Sequence, residues 1–241
     1  CFLVRDGQMK GEHVHILEKD PIPGGACDGY KYQDIGYVMR GGREMDNHFE
    51  CMWDLFRSIP SIEDENHTVL DEYYWLNKDD PNYSLCRATV NRGQDAHTDG
   101  KFGLSDKGAM EILQLFMTPD EKLYDKKITD FFDDEVLNTN FWMYWRTMFA
   151  FENWHSALEM KRYLQRYIHH IGGLPDFTAL RFTRYNQYES MILPMVKYLE
   201  SFGVQFHYNT KVVNVAFDCA GGKKQATRID ILRDGQEDCI D

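Results

Sequence analysis

The stretch from His13 to Asp54 decides the fold, and it reads HVHILEKDPIPGGACDGYKYQDIGYVMRGGREMDNHFECMWD. Residues His13 to Leu17 form a short apolar run that predicts a β-strand, and an acid, Glu18, follows at once. Glycine pairs come later, at Gly24-Gly25 and Gly41-Gly42. A carboxylate after a strand can accept hydrogen bonds from ribose hydroxyls, and glycine lets the backbone approach phosphate oxygens closely. The pattern therefore predicts a dinucleotide site, although the Gly-x-Gly-x-x-Gly turn of such sites is absent.

The opening of the sequence explains why that turn is absent. The chain starts without Met, and Phe2 to Arg5 is typical of the last turn of an apolar helix that stops at Asp6-Gly7. In a βαβ unit the first strand and the glycine turn lie just before this helix. We therefore expect the sequence to begin inside the first helix and to be an internal piece of a longer protein that continues beyond Asp241.

Composition indicates a packed protein that does not bind nucleic acid. Of the 241 residues, 43% are hydrophobic and 14% are aromatic, which is typical of a globular core and not of disorder. The net charge of −12 argues against nucleic acid, because phosphates need a basic surface. No apolar run approaches the roughly 20 residues that a membrane helix needs.

The cysteines and histidines do not predict a metal site. No two cysteines form a CxxC pair, and no spacing of Cys and His is typical of zinc, so we expect reduced thiols and a cytoplasmic protein. His169-His170 resembles a metal pair, but adjacent residues on a helix point to different faces, which favours a structural role. The six cysteines are Cys1, Cys27, Cys51, Cys86, Cys219 and Cys239.

The order of the predicted elements divides the chain into three regions. Residues 1–50 carry the strand and the glycine turns, residues 51–180 are mostly helical and aromatic, and residues 181–241 return to strands. This order predicts an α/β nucleotide-binding domain interrupted by a mostly helical insertion. The principal expected elements are helices over Asn47–Ser58, from Ser105-Asp106 onward, over Ser156–Ile171 and over Glu189–Glu200, and strands over Val204–Tyr208, Lys211–Phe217 and Gln225–Leu232. Pro194 either kinks the last helix or marks its true start.

Four blocks of sequence carry a resemblance to a known family. They read RDGQMKGEHVHILE, RGGREMDNHFECMWDLFRSIPS, FWMYWRTMFAFENWHSALEMKRY and IHHIGGLPDFTALRFTRYNQYESM, and with them the chain closely resembles the oleate hydratase family over nearly its whole length. The resemblance implies a bacterial, FAD-containing enzyme that adds water to the cis-9 double bond of oleic acid and gives 10-hydroxystearic acid without net redox change. It also implies a Rossmann-like FAD-binding domain, incomplete at its N-terminus in this sequence, that is interrupted by a helical substrate domain. Oleate or linoleate as substrate, a homodimer and peripheral contact with membranes are further expectations.

The same resemblance implies roles for individual residues. Glu44 matches the glutamate that activates water, Tyr163 matches the tyrosine that protonates the alkene, and Gln187 matches a polar residue of the fatty-acid pocket. The residues that match cofactor contacts are Glu18, Gly24, Gly25, Gly42, Arg43 and Val213, the last through its backbone to adenine.

The predicted chemistry is sound, yet each residue alone has a simpler interpretation. A carboxylate can orient water and stabilise developing positive charge, and a phenol can donate a proton. On pattern alone, however, Glu44 is an ordinary exposed acid and Tyr163 a core tyrosine. The aromatic run Phe141 to Phe151 either lines a tunnel for an apolar chain, through Trp142, Met143, Trp145, Met148 and Phe149, or forms helical core.

Two other interpretations of the sequence remain open. An FAD-dependent oxidoreductase of the amine oxidase or desaturase type would explain Glu18 and Gly24-Gly25 equally well. With half of the dinucleotide site absent, the isolated chain is also expected to bind FAD poorly.

Overall fold

The computed structural model describes residues 1–83, 85 and 88–241, and it is a mixed α/β fold with parallel and antiparallel strand pairs. The chain forms two compact units. The first contains residues 1–80 and 182–241, and the second contains residues 81–181. The expected α/β class is confirmed at this level.

Helices dominate the middle of the described chain, whereas most of the strands lie toward its two ends. The α-helices are α1 (Phe2–Arg5), α2 (Glu50–Phe56), α3 (Val69–Asp79), α4 (Asp106–Met117), α5 (Asp134–Leu137), α6 (Asn140–Phe149), α7 (Ala157–Tyr167) and α8 (Leu193–Ser201). The strands are β1 (His15–Leu17), β2 (Gly29–Tyr32), β3 (Gly36–Met39), β4 (Thr89–Val90), β5 (Gln94–Asp95), β6 (Gln205–His207), β7 (Thr210–Asp218), β8 (Gln225–Arg233) and β9 (Gln236–Ile240).

A parallel pair of strands joins the two ends of the first unit. β1 lies beside β6, with Leu17 opposite His207. β1 is shorter than the predicted strand, because Gly11–His13 turns as a 3-10 helix. The alternation of apolar residues in both strands buries one face against α1 and α8, where Val4, Leu199 and Val204 form a small core.

An antiparallel sheet of three strands follows, in the order β7-β8-β9. β7 and β8 confirm two of the predicted strands, and β9 completes the sheet. The register between β7 and β8 passes from Val212 to Asn214, so Val213 is the extra residue of a β-bulge.

The segment before α8 is a π-helix, Tyr188–Ile192, in place of the regular helix that the sequence predicts. α8 begins directly after it, with Pro194 in its first turn. Proline is tolerated there because the amide hydrogen of the first turn has no partner within the helix. Of the two predicted roles for Pro194, it therefore marks the start of a helix.

Residues 51–80 pack within the first unit, which differs from the predicted boundary at residue 50. The apolar side of α2 packs against α3, and the rings of Trp53 and Tyr73 stack with centroids 4.0 Å apart. Met191 of the π-helix belongs to the same core. This buried contact between distant segments places α2 and α3 in the first unit, and the predicted functional boundary at residue 50 stays a prediction. The other buried members of this core are Met45, Phe56, Ile59 and Val69.

The second unit is mostly helical and holds the aromatic run in its core. Ser105 caps α4 by accepting a hydrogen bond from the amide of Gly108, which confirms the predicted helix start. Trp142 and Trp145 are fully buried in this core. Of the two predicted roles, helical core therefore describes them, and the lining of a tunnel for an apolar chain does not. The predicted helix over Ser156–Ile171 ends at Tyr167 and continues as a 3-10 helix, Ile168–Gly173, which contains His169-His170.

Two further expectations concern the thiols and the membrane. Among the described residues, Cys1, Cys27, Cys51, Cys219 and Cys239 are free, and Cys86 lies outside them. A search of the same residues finds no helix whose length and hydropathy would let it cross a lipid bilayer.

Candidate functional site

Glu18 lies directly after β1, where the parallel pair ends. Its backbone is fixed on both sides, since its amide donates to the carbonyl oxygen of His207 at 2.9 Å and its own carbonyl oxygen accepts from the amide of Thr210 at 2.8 Å. Its carboxylate accepts a hydrogen bond from the amide of Asp20 at 3.0 Å. The carboxylate is therefore placed at the carboxyl end of a parallel strand, the position at which such sheets bind ligands.

The glycine pair after Glu18 adopts a backbone that other residues would strain. Gly24 has φ of 110° and Gly25 has φ of 54°. A Cβ at Gly24 would lie 3.2 Å from Ile192 of the π-helix, whereas a Cβ at Gly25 would meet only open space. Gly25 therefore leaves room beside the backbone, as the approach of a phosphate requires.

Arg43 connects this glycine loop to the segment that carries Glu44. The Nη2 atom of Arg43 donates to the carbonyl oxygen of Ala26 at 2.7 Å. The carbonyl oxygen of Arg43 accepts from Nε2 of Gln187 at 2.5 Å. The two loops that were predicted to bind the cofactor are thus joined through one residue.

Glu44 is exposed and lies against Gly42. A Cβ on Gly42 would come within 2.8 Å of Oε2 of Glu44, so any larger residue would displace the carboxylate. The carboxylate is thus available to solvent, which is what a base that orients water requires.

Gln187 and Asn186 are both buried, with exposed fractions of 4% and 1%. Asn186 donates through Nδ2 to the carbonyl oxygen of Val38 at 3.2 Å, and its Oδ1 accepts from the amide of Glu189 at 2.9 Å. Oε1 of Gln187 is buried and accepts no hydrogen bond from any described residue. These two amides hold the backbone from Val38 to Arg43 against the start of the π-helix.

A tyrosine pair lies immediately before these amides. The rings of Tyr37 and Tyr185 have centroids 4.3 Å apart. Burial, followed by the hydrogen bond with Glu63, raises the pKa of Tyr185 to about 12. The hydrogen bond with Tyr37 raises the pKa of Lys31, which therefore stays charged at neutral pH.

Val213 occupies the bulge of β7 and is 58% exposed. A bulged residue leaves its backbone groups out of the ladder between the two strands. The ladder between β7 and β8 is therefore interrupted at Val213, and its contact with a cofactor stays a prediction.

Tyr163 belongs to the second unit, on α7, and is 41% exposed. Its ring contacts Phe149 and Phe151 edge-on, with centroids 5.5 and 5.2 Å away. One side of the ring is thus fixed by the core while part of the side chain reaches solvent.

The structure links Arg43 to Gln187 and, through Ala26, to the glycine loop, and it places Gly42 against Glu44. These contacts do not include Glu18, Val213 or Tyr163. Sequence reasoning missed Asn186 and Ile192, which contact the same segments. The only signal for Asn186 was a pair of amide residues in front of an otherwise apolar helix.

Comparisons with known proteins show the family to which this chain belongs. The model of the MCRA family matches residues 1–241. The chain is 50% identical to "Oleate hydratase" of Streptococcus pyogenes serotype M49 (strain NZ131) over 240 residues, which is 100% of this chain and 40% of that protein. It is 31% identical to "Linoleate hydratase" of Lactiplantibacillus plantarum over 237 residues, which is 90% of this chain and 41% of that protein. The chain thus spans about two fifths of the length of these curated relatives, and by the match over all of its residues it belongs to the MCRA family.

Proposed function

We propose that this chain is part of a fatty acid hydratase that adds water to the cis-9 double bond of oleic acid and gives 10-hydroxystearic acid. One observation carries the proposal: Glu44 presents an exposed carboxylate on a backbone that Gln187 fixes beside the glycine loop. The names of both relatives, an oleate hydratase and a linoleate hydratase, support a cis-unsaturated fatty acid as substrate.

FAD is the cofactor that we propose for the first unit, as part of a Rossmann-like domain, and its residues fit that group. Glu18 lies at the carboxyl end of a parallel strand and would hold the ribose hydroxyls. Gly25 leaves open space in which a phosphate could approach, and Val213, at the bulge of β7, would contact adenine through its backbone. Gly24, Gly42 and Arg43 would complete the surrounding loops. When bound, FAD supplies a structural or electrostatic contribution and no net redox step.

The hydration follows from two side chains with different tasks. The Tyr163 hydroxyl delivers its proton to C9 of the alkene, and positive charge develops at C10. Glu44 orients a water molecule, whose oxygen forms the new bond to C10 while its proton passes to the carboxylate. Transfer of that proton back to the phenolate restores both groups, so atoms and charge balance and no electron acceptor is needed.

The remaining proposals concern the whole protein. We assign FAD binding to residues 1–50 and 181–241 together with the packed segment 51–80, and substrate binding to the helical unit. We also propose a cytoplasmic homodimer with peripheral membrane contact, in which Gln187 belongs to the substrate pocket of each copy.

A labelling experiment tests the proposed reaction. The protein at its full natural length is incubated with FAD and oleate in ¹⁸O-labelled water, and the product is examined by mass spectrometry. We expect a hydroxy acid that carries one ¹⁸O atom. Oxygen uptake or flavin bleaching without that product would instead favour the oxidoreductase alternative.

A further inference from the structure

We propose that Gln187 is a positioning residue, which fixes the peptide that carries Glu44 through its Nε2 donor. This inference rests on the proposed function, because that function gives Glu44 its role in orienting water. The hydrogen bond between Gln187 and Arg43 is observed independently of that role. The task differs from contact with the fatty acid, because it acts through the backbone of the chain.

The geometry of the amide gives the first argument. Nε2 of Gln187 lies 2.5 Å from the carbonyl oxygen of Arg43, the residue directly before Glu44. Gln187 is 4% exposed, so water cannot easily replace its donor at that oxygen. Loss of the donor would leave the Arg43 carbonyl unsatisfied and free to turn, and the Glu44 side chain would turn with it.

The neighbouring loop gives the second argument. Arg43 is also held from its other end, through Ala26, and Asn186 holds Val38 on the same stretch of backbone. Gly42 has no side chain to displace the Glu44 carboxylate, whose Oε2 would lie 2.8 Å from a Cβ at that position. A segment fixed at Val38, at the Arg43 carbonyl and at the Arg43 guanidinium has few ways to place Glu44, and catalytic groups need such restraint.

The two ends of the Gln187 side chain have separable tasks. Nε2 is engaged by the Arg43 carbonyl, whereas the buried Oε1 accepts no hydrogen bond from the described residues. Nε2 is thus the atom to which we assign positioning. A substitution that keeps one end and changes the other can tell which of them matters for the rate.

The first test measures the backbone and needs no activity. Deuterium uptake of residues 40–46 is compared between the wild-type protein and Gln187→Met, with Gln205→Met, an exposed glutamine on β6, as the matched control. We expect exchange in this segment to accelerate at least tenfold in Gln187→Met and to stay unchanged in Gln205→Met. Equal protection in both variants would overturn the proposal.

The second test uses hydration rates in the protein at its full natural length. Gln187→Glu keeps an acceptor in place of Oε1 and loses the Nε2 donor. We expect kcat to fall at least tenfold at neutral pH, by a larger factor than any rise in KM for oleate. We also expect recovery relative to wild type as pH falls, because a protonated carboxyl can again donate to the Arg43 carbonyl. A raised KM with unchanged kcat would make Gln187 only a substrate contact and would refute the positioning role.

The two tests separate this proposal from the proposed function. Faster exchange in Gln187→Met together with a wild-type protein that forms no hydroxy acid would refute the hydratase assignment and support the positioning contact. Unchanged exchange in Gln187→Met together with normal hydration by the wild type would refute the positioning contact and support the hydratase assignment.

Discussion

At the scale of single residues, Glu44 carries the clearest prediction. Glu44→Gln in the full-length protein removes the charge but keeps the size, so we expect hydration to fall by about 10² to 10⁴-fold. Because Glu44 is exposed, the melting temperature should stay unchanged. Product formation by mass spectrometry and thermal unfolding measure both quantities. Glu12→Gln, at another exposed acid, is the control, and normal turnover by Glu44→Gln would remove its role in water activation.

Tyr163 carries a second prediction at the same scale. Tyr163→Phe keeps the edge contacts with Phe149 and Phe151 and removes only the hydroxyl. We therefore expect most of the hydration activity to be lost while stability is retained. Tyr124→Phe, at an exposed tyrosine of the same unit, should retain full activity. An unchanged rate in Tyr163→Phe would assign the proton to another donor.

Individual residues also show how far the sequence could predict the site. Glu18 and Gly24-Gly25 follow from local rules, since an acid after a strand and paired glycines are visible in the sequence. The link from Gln187 to Arg43 joins residues 144 positions apart, and no local pattern encodes it. Glu44 and Tyr163 are assigned only through the family resemblance, because glutamate and tyrosine are common residues and no local pattern marks these two positions.

At the scale of elements, the start of α3 predicts a measurable contribution to stability. Thr68 accepts from the amide of Asp71, and the Asp71 carboxylate accepts from the amide of Thr68, which together form a capping box. We expect Thr68→Ala to lower the free energy of unfolding by about 1 kcal/mol, measured with urea. Thr89→Ala, at an exposed position of β4, should change it far less. Equal effects would mean that the cap is not stabilising.

The same cap predicts a dependence of stability on pH. The backbone amide of Thr68, and then its hydroxyl, lower the pKa of Asp71 in the folded protein. A lowered pKa gives stability that is present above the ordinary aspartate pKa of about 4 and is lost as pH falls through the folded value. Asp71→Asn should therefore flatten the loss of stability below about pH 4. Parallel curves for both proteins in acid unfolding would contradict this.

Two elements show which parts of the secondary structure could be predicted from the sequence. The start of α4 was predicted because Ser105 is a good N-cap and the signal is local. The π-helix Tyr188–Ile192 was not predicted, because its apolar residues have the spacing of a regular helix. Its packing through Met191 and the hydrogen bond to Asn186 involve contacts that this spacing does not show.

At the scale of the whole molecule, the separate cores of the two units give a paired prediction. Leu164 is buried in the core of the second unit and Ile59 in that of the first. Each Leu or Ile to Ala substitution should cost about 2 to 5 kcal/mol. We expect Leu164→Ala to accelerate hydrogen exchange mainly in residues 88–181 and Ile59→Ala mainly in residues 1–80 and 182–241. Uniform acceleration by both variants would show that the units unfold together.

The arrangement of the whole chain was only partly predictable. The order of strands and helices predicted an interrupted α/β domain, and the parallel and antiparallel strand pairs confirm the α/β class. The sequence does not indicate that residues 51–80 pack with the first unit, because the apolar stripe of α2 is typical of any amphipathic helix and does not specify α3 and Met191 as its partners.

The pairing of β1 with β6 constrains how the protein forms in the cell. Leu17 cannot pair with His207 until the ribosome has added about 190 further residues. At about 5 to 20 residues per second, this delay is roughly 10 to 40 seconds, and a helical unit of local contacts forms in far less time. Residues 81–181 can thus become a folded body on the nascent chain while β1 still lacks its neighbour. During that interval the edge of β1 that later pairs with β6 is open to pairing with other chains.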